Sequence, residues 1–247
     1  TAVNDMPTIT YPATINVTED VAKSMAGITF GDVDAGSSSV TVTFSVGSGN
    51  GTFTATASSG VTVTNNGTNV ITLEGTVADI NTLVSNGRLT YLGALNANGT
   101  KIMTVSINDN GNSGTGGPLS ESYDVSLMIA AVNDAPVNSI PAQQTMFQDG
   151  SLTFNTANGN LISVSDVDIA GNQMKVTLSA TNGLLTLSQI SGLTFITGDG
   201  TADSEMTFAG SISAINAALN GLTFTPTAGY TGTASLTILS DDQGYVG

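Results

Sequence analysis

The feature that most restricts the fold of this chain is an internal duplication. "AVNDMP" at Ala2–Pro7 returns as "AVNDAP" at Ala131–Pro136. Laid over one another from Val3 and Val132, the two stretches keep matching in order. "TEDV" at Thr18–Val21 meets "FQDG" at Phe147–Gly150, and "GDVDAG" at Gly31–Gly36 meets "SDVDIAG" at Ser165–Gly171. "ITLEGTVADINTLVSNGRLTY" meets "MTFAGSISAINAALNGLTF", and "MTVSINDNG" at Met103–Gly111 meets "LTILSDDQG" at Leu236–Gly244. The offset stays near about 130 residues, so the chain reads as tandem copies of one folding unit. Residues 1–7 are expected to end a preceding repeat and its linker, 8–132 to form domain 1, 133–136 a linker, and 137–247 domain 2.

Each copy reads as all-β. "VTVTFSV" and "KVTLSAT" alternate apolar with polar residues, the pattern of a half-buried strand. "KIMTVSIND" and "ASLTILSDD" do the same. Thr, Ser, Gly, Asn and Val dominate, an alphabet that favours strands and turns over helices. Strands return every ten or so residues between Gly, Asn and Ser, which predicts a β-sandwich. One segment per copy breaks the rule. Val77, Ile80 and Leu83, and again Ile212, Ile215 and Leu219, fall at helical spacing, with Ser211 or Ser213 able to cap. One short helix per domain, filling core, is expected. Copy one runs on after Gly111 into "ESYDVSLMIAAV", a last strand. Copy two, as given, has no counterpart of it. Such a sandwich has an open edge; either the sequence stops short of the strand or another segment supplies it.

Several functions are disfavoured by composition. The 247 residues carry 19 acids against 4 bases, a net charge of −15, with no Cys, His or Trp. Without a basic surface, nucleic acid is not an expected partner. Neither disulfide nor thiolate chemistry is available. No apolar run reaches the length of a membrane span, so no membrane insertion is expected. A serine nucleophile would lack His, and no aromatic cluster accompanies an acid pair, so the chain is expected not to be an enzyme. Tyr91, Tyr123 and Tyr230 are read as packing residues. "TGDGTADSE" at Thr197–Glu205 is read as an acidic hairpin loop.

The acids are clustered. Copy one has Asp5 before its first strand, Asp32 and Asp34 in one turn, and Asp109 in a late turn. Copy two has Asp134, then Asp166 and Asp168, then Asp242. In an antiparallel sandwich these turns share one end, so four carboxylates are expected at each domain's tip. Two carboxylates about 4 Å apart repel by roughly 1 kcal/mol in water and about 4 kcal/mol at an effective dielectric of 20. Four basic residues cannot neutralise both clusters. A divalent cation would, and an all-oxygen donor set selects calcium over zinc or copper. The bland alternative is that Asp and Asn simply cap turns.

The chain resembles the cadherin-like repeats of large bacterial surface proteins, a group similar to chondroitin sulfate proteoglycan repeats. The residues that carry the resemblance are "VNDAP" at Val132–Pro136, "DVD" at Asp166–Asp168 with Asn172 beyond it, and the D-x-G turns Asp109–Gly111 and Asp242–Gly244. Glu19 and Asp20 resemble the acidic pair that ends the first strand of cadherins. "ADIN…LTY" and "SAIN…LTF" look like the bacterial type in particular. The resemblance implies cadherin-like/immunoglobulin-like sandwiches with Ca2+ at domain junctions. There the ligands would be Glu19 of domain 1, Asn133 and Asp134 of the linker, and Asp166, Asp168 and Asp242 of domain 2, with Asn172 as a further contributor. The "LDRE" motif of animal cadherins is missing, with "LEGT" at Leu73–Thr76 in its place. Gln148 stands where copy one has Glu19.

The function expected on these grounds is non-enzymatic: a calcium-stiffened repeat of an extracellular or cell-surface bacterial adhesin, whose partners are the adjacent repeats of its own chain. Two alternatives stay open. One is a module binding a cell-surface glycan or protein. The other is a subunit of an extracellular filament, in which like subunits donate strands to open edges.

Overall fold

The computed structural model describes residues 3–112, 114–169 and 171–245. It divides into two compact units, Thr1–Val132 and Asn133–Gly247. Both are all-β sandwiches carrying one short helix.

In the first unit the strands are β1 (Thr8–Thr10), β2 (Thr14–Thr18), β3 (Lys23–Ser24), β4 (Thr29–Gly31), β5 (Val40–Val46), β6 (Thr52–Ala55), β7 (Val61–Thr64) and β8 (Val70–Gly75). Helix α1 (Val77–Ser85) and strands β9 (Leu89–Leu92), β10 (Gly99–Asn108) and β11 (Ser120–Ala130) follow. One sheet has the order β2-β11-β10-β5-β8-β7, faced by β3-β9-β6, with β1 and β4 paired beside them. Every neighbour pair is antiparallel except β2 with β11, which run parallel. The predicted alternation is visible residue by residue. In β5, Val40, Val42, Phe44 and Val46 point inward and the threonines between them do not. A chain of aromatic contacts ties the two faces of the core together, Phe30 to Phe44 at 6.1 Å, Phe44 to Phe53 at 6.0 Å and Phe53 to Tyr91 at 5.4 Å.

The second unit repeats the plan. Its strands are β12 (Val137–Ser139), β13 (Leu152–Phe154), β14 (Ser163–Ser165), β15 (Met174–Ala180), β16 (Gly183–Thr186), β17 (Leu193–Thr197) and β18 (Glu205–Gly210). Helix α2 (Ile212–Leu219) and strands β19 (Leu222–Pro226) and β20 (Leu236–Asp241) complete it. The sheet β17-β18-β15-β20 matches β7-β8-β5-β10, and β13-β19-β16 matches β3-β9-β6. Among the described residues there is no counterpart of β11, nor of its parallel neighbour β2. The "TGDGTADSE" stretch is the loop of the β17–β18 hairpin, drawn in by Asp203, whose carboxylate accepts from the N–H groups of Asp199 and Gly200.

Both helices begin at a hydroxyl cap, Ser211 being one of the two serines expected for the second. Thr76 accepts from Asp79 N–H and Ser211 from Ala214 N–H. Ile80, Leu83 and Val84 of α1, and Ile215, Ala218 and Leu219 of α2, are buried. The shared "IN" has its own purpose. The Asn81 amide accepts from Phe30 N–H at 2.9 Å and donates to Phe30 C=O at 2.8 Å. Asn216 does the same to Val164, at 2.8 and 2.9 Å. A helix side chain thus satisfies backbone groups of a short strand, β4 or β14, that no further strand pairs there. The glycine just before each helix cap is there for space. A Cβ on Gly75 would collide with the Gly60 carbonyl, and one on Gly210 would stand 2.8 Å from that of Gly192.

The tyrosines are packing residues. Tyr91 is fully buried and donates to the Asn50 carbonyl. Tyr123 stacks on Tyr11 at 4.8 Å, and the Tyr230 hydroxyl closes a loop onto the Thr233 carbonyl.

Candidate functional site

At the start of each unit the Asn-Asp pair is clamped to two turns, and the clamp is the same in both. In unit one, the Asn4 amide nitrogen donates to Asp109 Oδ2 at 2.6 Å and Asp5 N–H donates to Asp34 Oδ2 at 2.6 Å. In unit two, the Asn133 amide donates to Asp242 Oδ2 at 2.8 Å and Asp134 N–H to Asp168 Oδ2 at 2.6 Å. Two neighbouring residues therefore hold the turn after β4 and the turn after β10, or their equivalents after β14 and β20.

The turns are themselves built by carboxylates. Asp32 Oδ1 accepts from the N–H groups of Asp34 and Ala35, both at 2.9 Å. Asp166 Oδ1 accepts from Asp168 and Ile169, at 2.8 and 3.1 Å. Asp109 Oδ1 accepts from Gly111 and Leu119 N–H, at 2.7 and 2.8 Å, and Asp242 Oδ1 from Gly244 at 2.9 Å. The residue before each of these glycines has a positive φ, 58° at Asn110 and 61° at Gln243. Asn172 contributes its backbone N–H, to the Ile169 carbonyl.

The acids thus serve as turn formers in the first instance, as the simpler expectation held. Backbone N–H groups and an Asn amide lie between the carboxylates. Among the described residues, no three acidic side chains stand in an arrangement that could by itself hold a metal ion. The Asn133 nitrogen, not its oxygen, faces Asp242. Asn4, which the sequence reading passed over, makes the same contact in unit one; its place in the repeated "AVND" was the signal for it.

The clamp leaves a residue of unspent charge. Asp32 Oδ2 and Asp166 Oδ2, the matching atoms of the two copies, are buried and have no hydrogen-bond partner. Glu19, 2% exposed, accepts from Val132 N–H through Oε2 at 3.1 Å, while its Oε1 is buried without a donor. Glu19 belongs to the first unit; Asn133, Asp134, Asp166, Asp168 and Asp242 belong to the second. A buried carboxylate oxygen with no donor costs about 1–3 kcal/mol or more, and each unit carries such an oxygen at the turn after its β4 or β14 strand. A hard cation takes six to eight oxygens, so one held here would need carbonyl and water oxygens beside these carboxylates.

Asp109 is the most buried of these acids, at 1% exposure. Burial pushes its carboxyl up, but donors from Gly111, Leu119 and Asn4 outweigh that and hold it below the ordinary value of 3.8.

No protein-family model matches the chain, and no curated protein does. Solved structures align along most of the chain but with low TM-scores. The C-terminal domain of the Streptococcus agalactiae antigen I/II polypeptide BspA is 9% identical with a TM-score of 0.26, covering 96% of this chain and 92% of that one. Mouse cadherin-23 EC22-24 is 15% identical with a TM-score of 0.31, covering 96% of this chain and 65% of that one. The C-terminal domain of the Streptococcus pyogenes antigen I/II-family protein AspA is 6% identical with a TM-score of 0.26, covering 95% and 90%. The chain is similar to cadherin ectodomains and to streptococcal surface-antigen domains at that low level, which carries no argument about function. No helix among the described residues is long and apolar enough to cross a membrane.

Proposed function

We propose that the chain is a pair of non-enzymatic, calcium-binding β-sandwich modules of an extracellular bacterial surface protein. The ion's part is to supply positive charge to oxygen that has no donor. Through those oxygens Asp32 would hold it in unit one and Asp166 in unit two, with backbone carbonyls and water completing the shell. An ion there would add to the hydrogen-bond clamp that already fixes the segment leading into each sandwich. Sites of this kind in extracellular modules bind at roughly 10⁻⁴ to 10⁻³ M, which suits a protein working outside the cell. The bacterial-surface setting rests on the sequence resemblance.

The observation that carries the proposal is the paired orphan, Asp32 Oδ2 and Asp166 Oδ2, on a hydrogen-bond frame reproduced in both units. The test is thermal unfolding with calcium titrated against chelator and magnesium as control. At calcium a hundred times its dissociation constant the gain is about 2.7 kcal/mol, or about 10 °C for a domain of this size. Asp32→Asn and Asp166→Asn keep the oxygen that caps the turn and remove only the charge. Each should lose the calcium gain in its own unit while holding or raising stability in chelator. A wild-type melt indifferent to calcium, or variants that respond as fully as wild type, would rule the proposal out.

A further inference from the structure

The sequence holds eight Asn-Gly pairs, and the fold protects seven of them. At such a pair the glycine nitrogen can attack the asparagine side-chain carbonyl, because no Cβ stands in its way. A fold opposes this by holding the side-chain amide, the glycine N–H or the space around them. Five amides are held. Asn66 bonds both backbone groups of Ala55, at 2.8 and 3.0 Å. Asn110 donates to the Ser39 carbonyl at 3.0 Å, Asn158 to that of Thr153 at 3.0 Å, and Asn182 to the Tyr230 hydroxyl at 3.1 Å. Asn220 accepts from Thr156 N–H at 3.2 Å. Two further pairs are protected through the glycine. Asn86 is the C-cap of α1, and Gly87 N–H closes the helix onto the Val84 carbonyl at 3.0 Å. Asn50 precedes the buried Gly51, where even a Cβ would collide with the Leu92 carbonyl, so there is no room for a ring to form.

Asn98 has none of these protections. Its side chain has no hydrogen-bond partner among the described residues, and Asn98, Gly99 and Thr100 are all exposed. Gly99 has a φ of +81°, and a Cβ built there would meet nothing within 4 Å. It is the end rung of the β10–β11 ladder, opposite Ile129, so fraying by one residue frees its N–H. We propose that Asn98 is a site of spontaneous modification, the one Asn-Gly pair that the folded protein converts to isoaspartate and aspartate. The Gly99 nitrogen gives up its proton and bonds to Asn98 Cγ. The amide nitrogen leaves from Cγ as ammonia, and a five-membered succinimide remains. Water then opens the ring. Attack at Cγ restores the ordinary backbone with aspartate at position 98. Attack at the main-chain carbonyl carbon leaves the chain running through the side chain, as isoaspartate. Either product adds one carboxylate to the first unit. Isoaspartate also lengthens the backbone by one carbon just before the Gly99–Ile129 rung. The chemistry needs water alone and does not depend on the ion proposed above.

The experiment incubates the intact 247-residue protein in mildly alkaline buffer, folded in one arm and unfolded in urea in the other. Peptide mapping by mass spectrometry follows the change of amide to acid at each of the eight pairs. Enzymatic carboxyl methylation detects isoaspartate, with Asn98→Gln as the blank. In the folded arm Asn98 should convert at least about tenfold faster than any other pair, and the methylation signal should vanish in Asn98→Gln. In urea the eight rates should converge, because the protection comes from the fold and not from the dipeptide. A second pair that converts as fast as Asn98 in the folded protein would overturn the proposal. So would an Asn98 that converts in urea and stays intact in the folded arm, or a methylation signal that survives in Asn98→Gln.

Discussion

Asp109 shows how one carboxylate can organise a loop. Its oxygens take three donors, from Gly111, Leu119 and Asn4, so the turn after β10 and the leading segment depend on one buried charge. Asp109→Ala would leave three donors without their acceptor and should cost the first unit about 3 kcal/mol or more. Asp109→Asn keeps one oxygen for the backbone but turns an amide nitrogen towards that of Asn4, and should cost less. The pH dependence follows from the lowered carboxyl. A group whose folded value lies below its unfolded one stabilises fully above the unfolded value, and the contribution is lost as pH falls through the folded value. The wild-type advantage over Asp109→Asn should therefore be constant from neutral pH down to about 4 and shrink below the ordinary 3.8. Urea unfolding at pH 6 and pH 3 in chelator measures it; an advantage unchanged at pH 3 would contradict the assignment. The duplication made these acids visible in the sequence, because unrelated turns do not repeat Asp-x-Asp and Asp-x-Gly in step. It could not say whether their oxygens point at an ion or at each other's backbone. That depends on rotamers and on N–H groups such as Leu119's, which any residue type supplies.

Among the elements, the helices depend on Asn81 and Asn216 as much as on their apolar faces. Each asparagine replaces a missing strand by bonding both backbone groups of one residue. Asn81→Ala and Asn216→Ala each remove two partly buried hydrogen bonds and leave an N–H and a C=O unpaired, which should cost about 1–3 kcal/mol. Differential scanning calorimetry reads the loss; a shift of less than a degree in both variants would show that water replaces the amide freely. The helix positions were legible from Val77, Ile80 and Leu83 and their counterparts, and the cap of α2 from Ser211 or Ser213, of which the structure uses Ser211. Long strands such as β5 and β10 were legible from their two-residue period. The function of "IN" was not, since a polar residue at a helical position reads as solvent-facing until the strand beside it is known. Nor was the parallel pairing of β2 with β11. Alternation reports which face is buried, and says nothing of the neighbour's direction.

Across the whole chain, two units of one design have unequal cores. The first buries Val125, Leu127 and Ile129 of β11, and Ile15 and Val17 of β2. The second has no strand in either place among its described residues. Three fully buried aliphatic side chains are worth roughly 1.5–3 kcal/mol each. Their absence is comparable to the 5–15 kcal/mol that holds an ordinary domain folded. A single two-state transition is therefore not expected. In chelator the second unit should melt first and the first unit well above it. The two asparagine variants assign the peaks, since Asn216→Ala should lower only the earlier transition and Asn81→Ala only the later. Calcium should raise both, because both tips carry an orphaned oxygen. If Asn81→Ala moves both peaks together, the units do not fold separately, and the ranking drawn from their cores is wrong.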